Sequence, residues 1–492
     1  MRKLSGKRCV VAAALSAVVA LSGCNLGGNK EAAGDTPTTI KVMYYDENQF
    51  FSDYGMLFSA VHPEVEVEVV STQNIRYDPN KDMNEETMKF IEEQKPDILM
   101  LQPEQYTKLA EQGKLYDLST QVESKDFNQE GLLPGLLDYL KELGGGKIYG
   151  LVPNFYAQAI YYNKDLFDKY KIPLPHDKMS WDELLQLARR FPTDGDKDSR
   201  VYGLKTGYSS GDLYSLGNML GSAQNLSAVN PVSMQVTINT DAWKKVFRTA
   251  QDALASKALY FEDPSSGNFS GSYEEYLLRD PFIGGRLAMT IDGTYMMEQI
   301  KRAQSSSVKD KVIKNWGLVT VPVDPEHPDS STNVGLSQIF AVNAQSANTK
   351  AAWTFLNYIT SDEYARVTSK VQRGSLSVRT NYLKDDEGHN LQAFYALKPM
   401  QSPLMQSYSK VPQNFLIQFQ GMAQQELQAV QNGQKSLDDA LAELQTKGQQ
   451  ALMQAQQEEA AKKPGEASPS AAAGGAAEAG GGAAASAVPA GG

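Results

Sequence analysis

The sequence predicts an α/β fold in which strands of a largely parallel sheet are separated by helices. Three observations carry this. Apolar runs of strand length alternate with stretches of helical periodicity along most of the chain. Strands separated by helices belong to sheets covered on both faces. At residues 284–297, Gly-Gly-Arg-Leu-Ala-Met-Thr-Ile-Asp-Gly-Thr-Tyr-Met-Met, a strand-length run meets the turn signal Asp292-Gly293, and Thr294 can cap a following helix. A strand-turn-helix of this kind aims free N–H groups into the space beyond the strand's carboxyl end, where open α/β sheets bind ligands.

The first 23 residues are expected to be a targeting segment. Arg2, Lys3, Lys7 and Arg8 form a basic start, Val10 to Leu21 is uncharged and apolar, and Leu21-Ser22-Gly23-Cys24 resembles a bacterial lipobox. The apolar run is shorter than the roughly 20 residues a spanning helix needs. Cleavage would leave Cys24 as the only sulfhydryl of the mature chain, so disulfides and cysteine metal sites are excluded and a hydrophobic core, or two, must stabilise the fold. The formal charge of −11 becomes −15 once four basic residues leave with the signal. That acidic balance argues against a nucleic-acid partner. Residues 24–37 are rich in Gly, Ala, Thr and Asn and are expected to be a flexible tether.

Ile40 to Tyr45 is the first expected strand, followed by a helical stretch holding Phe50, Phe51, Met56, Leu57 and Val61 that stops at His62-Pro63. Val65, Val67 and Val69 alternate with glutamates as a half-buried second strand, and Glu85 to Gln94 is a helix before the buried strand Asp97 to Leu101. Gly144-Gly145-Gly146-Lys147 fails as a phosphate loop, because Ile148 stands where the metal-binding hydroxyl should be. Ser180-Trp181-Asp182-Glu183 is a capping box, and Trp181 is expected to pack rather than to stack on a ligand. Asp194, Asp196 and Asp198 have the spacing of a calcium loop but lack its glycine and terminal glutamate, so a solvated acidic loop is favoured. Trp243 to Leu259 is a helix, Phe269 to Tyr276 an irregular aromatic loop, and Trp316 to Pro322 a strand. Beyond residue 452 the chain turns to low complexity, and residues 453–492 are expected to be a disordered tail.

Several stretches carry a family resemblance. They are Gly113-Lys-Leu-Tyr-Asp-Leu118, the run from Ile148 to Tyr156 with Ala159 to Phe167 after it, Ala288-Met-Thr-Ile-Asp-Gly293, Asn333 to Asn343, Trp353 to Glu363, Arg373-Gly-Ser-Leu-Ser-Val378, and Ser436 to Gln449. Together they resemble the extracellular solute-binding proteins of ABC transporters, the maltose-binding protein group. The resemblance implies a two-lobed periplasmic-binding-protein fold of type II, with two mixed or parallel sheets flanked by helices and a hinge of three crossings, near residues 152, 290 and 337. Residues 38–151 with 290–337 would form the N-terminal lobe, and 152–289 with 338–452 the C-terminal lobe. It also implies a monomer that needs no cofactor and catalyses nothing. Such a chain captures a solute by hinge closure and delivers it to a permease, tethered through lipid on Cys24 to the extracytoplasmic face of the cell membrane.

Within the family the sequence looks most like the carbohydrate binders, which stack aromatic rings on sugar faces and hydrogen-bond the hydroxyls. Candidates at the strand ends are Tyr45, Asp46, Glu47, Gln102, Glu104, Asn154, Tyr156, Asp292, Tyr295 and Arg373. Strand alternation requires one of Tyr44 and Tyr45 to face the core. The maltose-binding relatives carry tryptophans in these loops, whereas Trp181, Trp243, Trp316 and Trp353 all lie on apparent packing elements here. Tyrosine then has to do the stacking, and a peptide or polyamine is the alternative ligand. A serine hydrolase built on Ser209, in Gly207-Tyr-Ser-Ser-Gly211, is the last alternative. It lacks an oxyanion motif and a well-placed histidine.

Overall fold

A computed structural model describes residues 37–75, 83–197, 199–207, 211–262, 270–336, 338–370, 374–401 and 411–461. The signal segment, Cys24, all of the tether but Pro37, and Asp198, Ser209, Arg373 and residues 462–492 lie outside the described residues. No helix among the described residues is long and apolar enough to cross a membrane.

The first sheet begins with β1 (Thr38–Tyr44), β2 (Val65–Ser71) and β3 (Ile98–Leu101), with β1 parallel to both of the others. β1 is driven by Ile40, Val42 and Tyr44, all buried, and Asp46 ends it by capping the next helix, its Oδ1 accepting from the Gln49 N–H at 2.9 Å. That helix, Glu47–Phe50, continues through a π-helical turn, Phe51–Gly55, into helix Met56–Val61. After β4 (Gly150–Leu151) comes β5 (Asn154–Asn163), a ten-residue strand. β6 (Tyr202–Lys205), the hairpin β7 (Val229–Asn230) and β8 (Gln235–Val236), β9 (Leu287–Gly293) and β10 (Trp316–Thr320) follow. Then come β11 (Ser330–Ser331), β12 (Val334–Gly335), β13 (Ile339–Val342), β14 (Leu376–Ser377) and β15 (Lys398–Pro399).

Two main sheets result. One has the order β2-β1-β3-β13-β4, and the other β10-β5-β9-β6. β13 runs antiparallel to β3 and β4, and β5 antiparallel to β9 and β10, so both sheets are mixed. The link between them is β5. Its first four residues pair with β14 (Phe155 with Leu376, Asn154 with Ser377) and with β12 (Tyr156 with Gly335, Ala157 with Val334). From Gln158 onward it pairs with β9 instead. The chain therefore passes between sheets before β5, between β12 and β13, and again around β14.

This pairing departs from the expected lobe boundaries. Residues 284–297 make no crossing, because β9 is an inner strand of the second sheet and β10 returns to that same sheet on the other side of β5. Residues 316–320 accordingly belong with the second sheet. Residues 339–368 belong with the first, where β13 pairs with β3 and helix Thr349–Ile359 buries Phe355 and Leu356. β12 pairs with β5 and β13 with β3, so the chain changes sheets between Gly335 and Ile339.

Three local expectations also change. Thr294 does not cap helix Tyr295–Gln304, because its backbone is already helical and its hydroxyl donates to the Gly374 carbonyl at 2.9 Å. Residues 273–279 form a helix rather than a loop, started by a capping box between Ser272 and Glu275. The last helix, Leu437–Ala461, runs past the expected start of the tail, since Leu452 and Ala455 extend the buried stripe of Leu441, Leu444 and Gly448.

The first core is aromatic: Tyr44, Phe50, Phe58, Phe340 and Phe355 are buried and meet at ring distances of 5.1 to 6.2 Å. The second gathers Trp243, Phe247, Phe415, Leu427 and Leu444 under helices Asp241–Ala255, Gln413–Gln431 and Leu437–Ala461. Burying an apolar side chain the size of Phe247 contributes roughly 1.5–3 kcal/mol.

Candidate functional site

At the carboxyl end of β1, alternation buries Tyr44 (1% exposed) and turns Tyr45 outward (42%). The π-helical turn behind it places two polar groups. Asp53 accepts from the Tyr44 hydroxyl at 3.0 Å and from Gln49 Nε2 at 2.7 Å. Tyr54, buried in the aromatic core, donates its hydroxyl to Gln338 Oε1 at 3.2 Å and also engages the Asn154 side chain. A residue of the first lobe thus holds the start of β5 and the segment leading to β13, two of the three crossings. π-helical turns are frequent at functional sites. Tyr156, 39% exposed, lies beside this cluster, and burial, Tyr45 and Asp53 together push its hydroxyl above the usual tyrosine range. Tyr45, Asn154 and Tyr156 are therefore brought together at the crossings.

The second wall comes from β9 and the helices around it. Tyr295, 48% exposed, is the first residue of helix Tyr295–Gln304, and its hydroxyl interacts with that of Tyr273. Tyr273 and Tyr276 are exposed and stacked, with ring centroids 6.3 Å apart. The β5–β9 register sets Gly293 beside Gln158, two residues from Tyr156, so Tyr295 begins its helix close to the crossing strands. Asp292 precedes it with Oδ1 accepting from the Gly293 N–H at 2.7 Å. Burial pushes the Asp292 carboxyl up to about 6. The Gly293 N–H and Lys205 oppose the rise, and Asp280 and Glu262 add to it.

Other expected residues are placed differently. Asp46 is engaged in its cap, and Glu47 is exposed on the following turn. Gln102 and Glu104 are exposed at the start of helix Pro103–Glu111, where the Gln102 N–H donates to Gln105 Oε1 at 3.1 Å. No hydrogen bond or ring contact among the described residues joins them to the tyrosines. Asp196 bonds the Ser199 N–H at 2.9 Å and accepts from its hydroxyl at 2.6 Å. No group of three metal-ligating side chains occurs among the described residues. His389 is held by Asp385 Oδ2 at 2.6 Å and stacks on Trp316 at 3.5 Å. Trp181, Trp243 and Trp316 are buried. Sequence reasoning missed Tyr54, Lys205, Tyr273, Tyr276 and Gln338. For the two helical tyrosines the signal was present, as Ser272-x-x-Glu275 is a capping box.

Comparison with known proteins agrees with this geometry. Residues 36–366 match the family model described as bacterial extracellular solute-binding protein. A Brucella abortus relative is 26% identical over 279 residues, which is 56% of this chain; the match spans only 60% of that relative's own length. The sn-glycerol-3-phosphate-binding periplasmic protein UgpB of Rhizobium meliloti is 20% identical over 67% of this chain and 73% of its own. Among solved structures, a sugar transporter from Rhizobium etli in an open conformation has a TM-score of 0.57 at 21% identity, covering 84% of this chain and 99% of its own. The sugar-binding protein MalE of Xanthomonas citri has a TM-score of 0.55 at 15% identity, covering 87% and 100%. With two mixed sheets joined by paired crossing strands and a family match over more than half its length, the chain belongs to the bacterial extracellular solute-binding proteins.

Proposed function

We propose that this protein captures an extracellular solute, a sugar or oligosaccharide, between its two sheets and presents it to the permease of an ABC transporter. The carrying observation is the set of half-exposed tyrosines: Tyr45 and Tyr156 at the crossing strands, and Tyr295 with Tyr273 and Tyr276 on the helices beside β9. Monomeric proteins expose few clustered large rings without a use for them, and sugar faces are apolar enough to stack there. A solute touching both walls stabilises the closed form by the contacts it makes only in that form. The sugar-related names of the Rhizobium etli and Xanthomonas citri neighbours support carbohydrate as the solute class. The chain catalyses no reaction in this reading.

A thermal-shift screen against neutral and charged sugars tests the reading. At least one should raise the melting temperature by mass action, and Tyr156→Ala should remove the rise. A rise only with peptides or polyamines would replace the carbohydrate reading. We place the anchor at Cys24, where two acyl chains would give stable attachment. Cys24→Ser should move the protein to the aqueous phase of a detergent partition; retention in detergent would put the anchor elsewhere.

A further inference from the structure

We propose that the carboxylates at the carboxyl ends of β6 and β9 form a subsite for a protonated amine, so that the captured carbohydrate carries one. This rests on the solute-binding reading of the same cleft. Lys205, the last residue of β6, has a side chain only 8% exposed, and its Nζ donates to Glu262 Oε1 at 2.7 Å and Asp280 Oδ2 at 3.2 Å. Asp292 lies within electrostatic reach of the same ammonium. Three carboxylates thus act on the Lys205 ammonium. Among the described residues, the only donor to the Asp292 carboxylate is the Gly293 N–H, on Oδ1.

A second observation points into the same place. Thr290 is fully buried, and its hydroxyl has no hydrogen-bond partner. Its register partners are Lys205 on β6 and Tyr161 on β5, and it stands two residues before Asp292, so all four side chains lie on one face of the sheet. Tyr161 cannot serve it, since that hydroxyl donates to the Gly293 carbonyl at 2.6 Å. Buried polar groups are nearly always paired, so an unpaired hydroxyl on the same face as a carboxylate with a single donor points to a further polar partner. Among the described residues, Lys205 is the cation that acts on Asp292, while Arg286 reaches Tyr260 and Arg302 faces Glu298 and Tyr273. A neutral hydroxyl would bring no charge to Asp292, whereas an ammonium brings both charge and N–H donors. Asp292 is three residues from Tyr295, so a sugar stacked on that ring can present an amine to it. Burial raises the Asp292 carboxyl, and the Gly293 N–H and Lys205 offset that rise only in part.

The test is calorimetric titration of the full chain at pH 7 with glucosamine and the chitosan disaccharide, against glucose, cellobiose and their N-acetylated counterparts. The amine-bearing probes should bind at least tenfold more tightly than their neutral partners. Asp292→Asn should erase that preference, and Glu262→Gln, at the exposed rim, should reduce it severalfold without disturbing the buried strands. Neutral probes that bind as tightly as the amines would overturn the amine subsite and leave the carbohydrate reading standing. So would a preference that survives in both variants. Failure of every probe to bind would overturn both.

Discussion

Tyr156 and Tyr295 make the sharpest claims, because each is exposed enough to lose its ring without leaving a cavity in the core. Either residue changed to alanine should weaken solute binding by about 1–3 kcal/mol, roughly tenfold to a hundredfold, and alter unliganded stability by less than about 1 kcal/mol. Calorimetry beside urea melts separates the two effects. Asp292 should show the opposite balance. Its folded-state carboxyl is raised from 3.8 to about 6, so its contribution to stability is fully present below about pH 4 and is lost as pH rises through 6. Asp292→Asn should therefore raise the unliganded melting temperature at pH 7.5 and leave it nearly unchanged at pH 4. A uniform change at both values would mean that the carboxylate is well matched in the folded protein. At this scale the sequence was partly legible. Strand alternation required one of the paired tyrosines at the end of β1 to face inward, and Tyr44 does. Tyr54 was not legible, because its hydroxyl acquires a role only from distant partners, Asn154 and Gln338, the latter 284 positions away.

Helices and strands were mostly visible as periodicity, and the exceptions have physical causes. The π-helical turn at Phe51–Gly55 leaves the apolar pattern of its neighbours intact, so it could not be told from an ordinary helix. The helix at Tyr273–Arg279 is too short for a periodic signal and announces itself only through its cap. Between elements, close packing sets firm limits. Gly221, on helix Leu213–Ser222, faces the Trp243 ring so closely that a Cβ would fall 2.4 Å from it. Gly221→Ala should cost about 1–3 kcal/mol in a denaturant melt, through displacement of that ring. Past β14 the chain is fastened by Arg379, which is buried and donates to the carbonyls of Thr360 at 2.6 Å and of Glu130 and Asn128, both at 2.7 Å. Arg379→Met fills the space but leaves three carbonyls unpaired, and should cost about 3 kcal/mol or more by the same measurement. A loss below about 1 kcal/mol would mean that water reaches those carbonyls.

For the whole molecule, an α/β fold was legible in its alternating elements, but the division of the chain between sheets was not. Strands β9, β10 and β13 are all short apolar runs, and what assigns each to a sheet is its partner: β5 for the first two, β3 and β4 for the third. Those partners lie over 100 residues away, beyond the reach of local pattern. The pairing that results is also what makes a hinge. β5 holds β12 and β14 in its first four residues, so the segments between the sheets are bonded to one another where the tyrosines emerge. A solute bound there touches both walls and the crossings together. The central claim is that this tyrosine-lined cleft captures a carbohydrate. Its most direct test is calorimetric titration of the full chain, and of the Tyr156→Ala and Tyr295→Ala variants, with a panel of neutral and amine-bearing mono- and disaccharides. At least one saccharide should bind saturably, with each variant weakened about tenfold or more. No binding across the panel, or binding untouched by both substitutions, would contradict it.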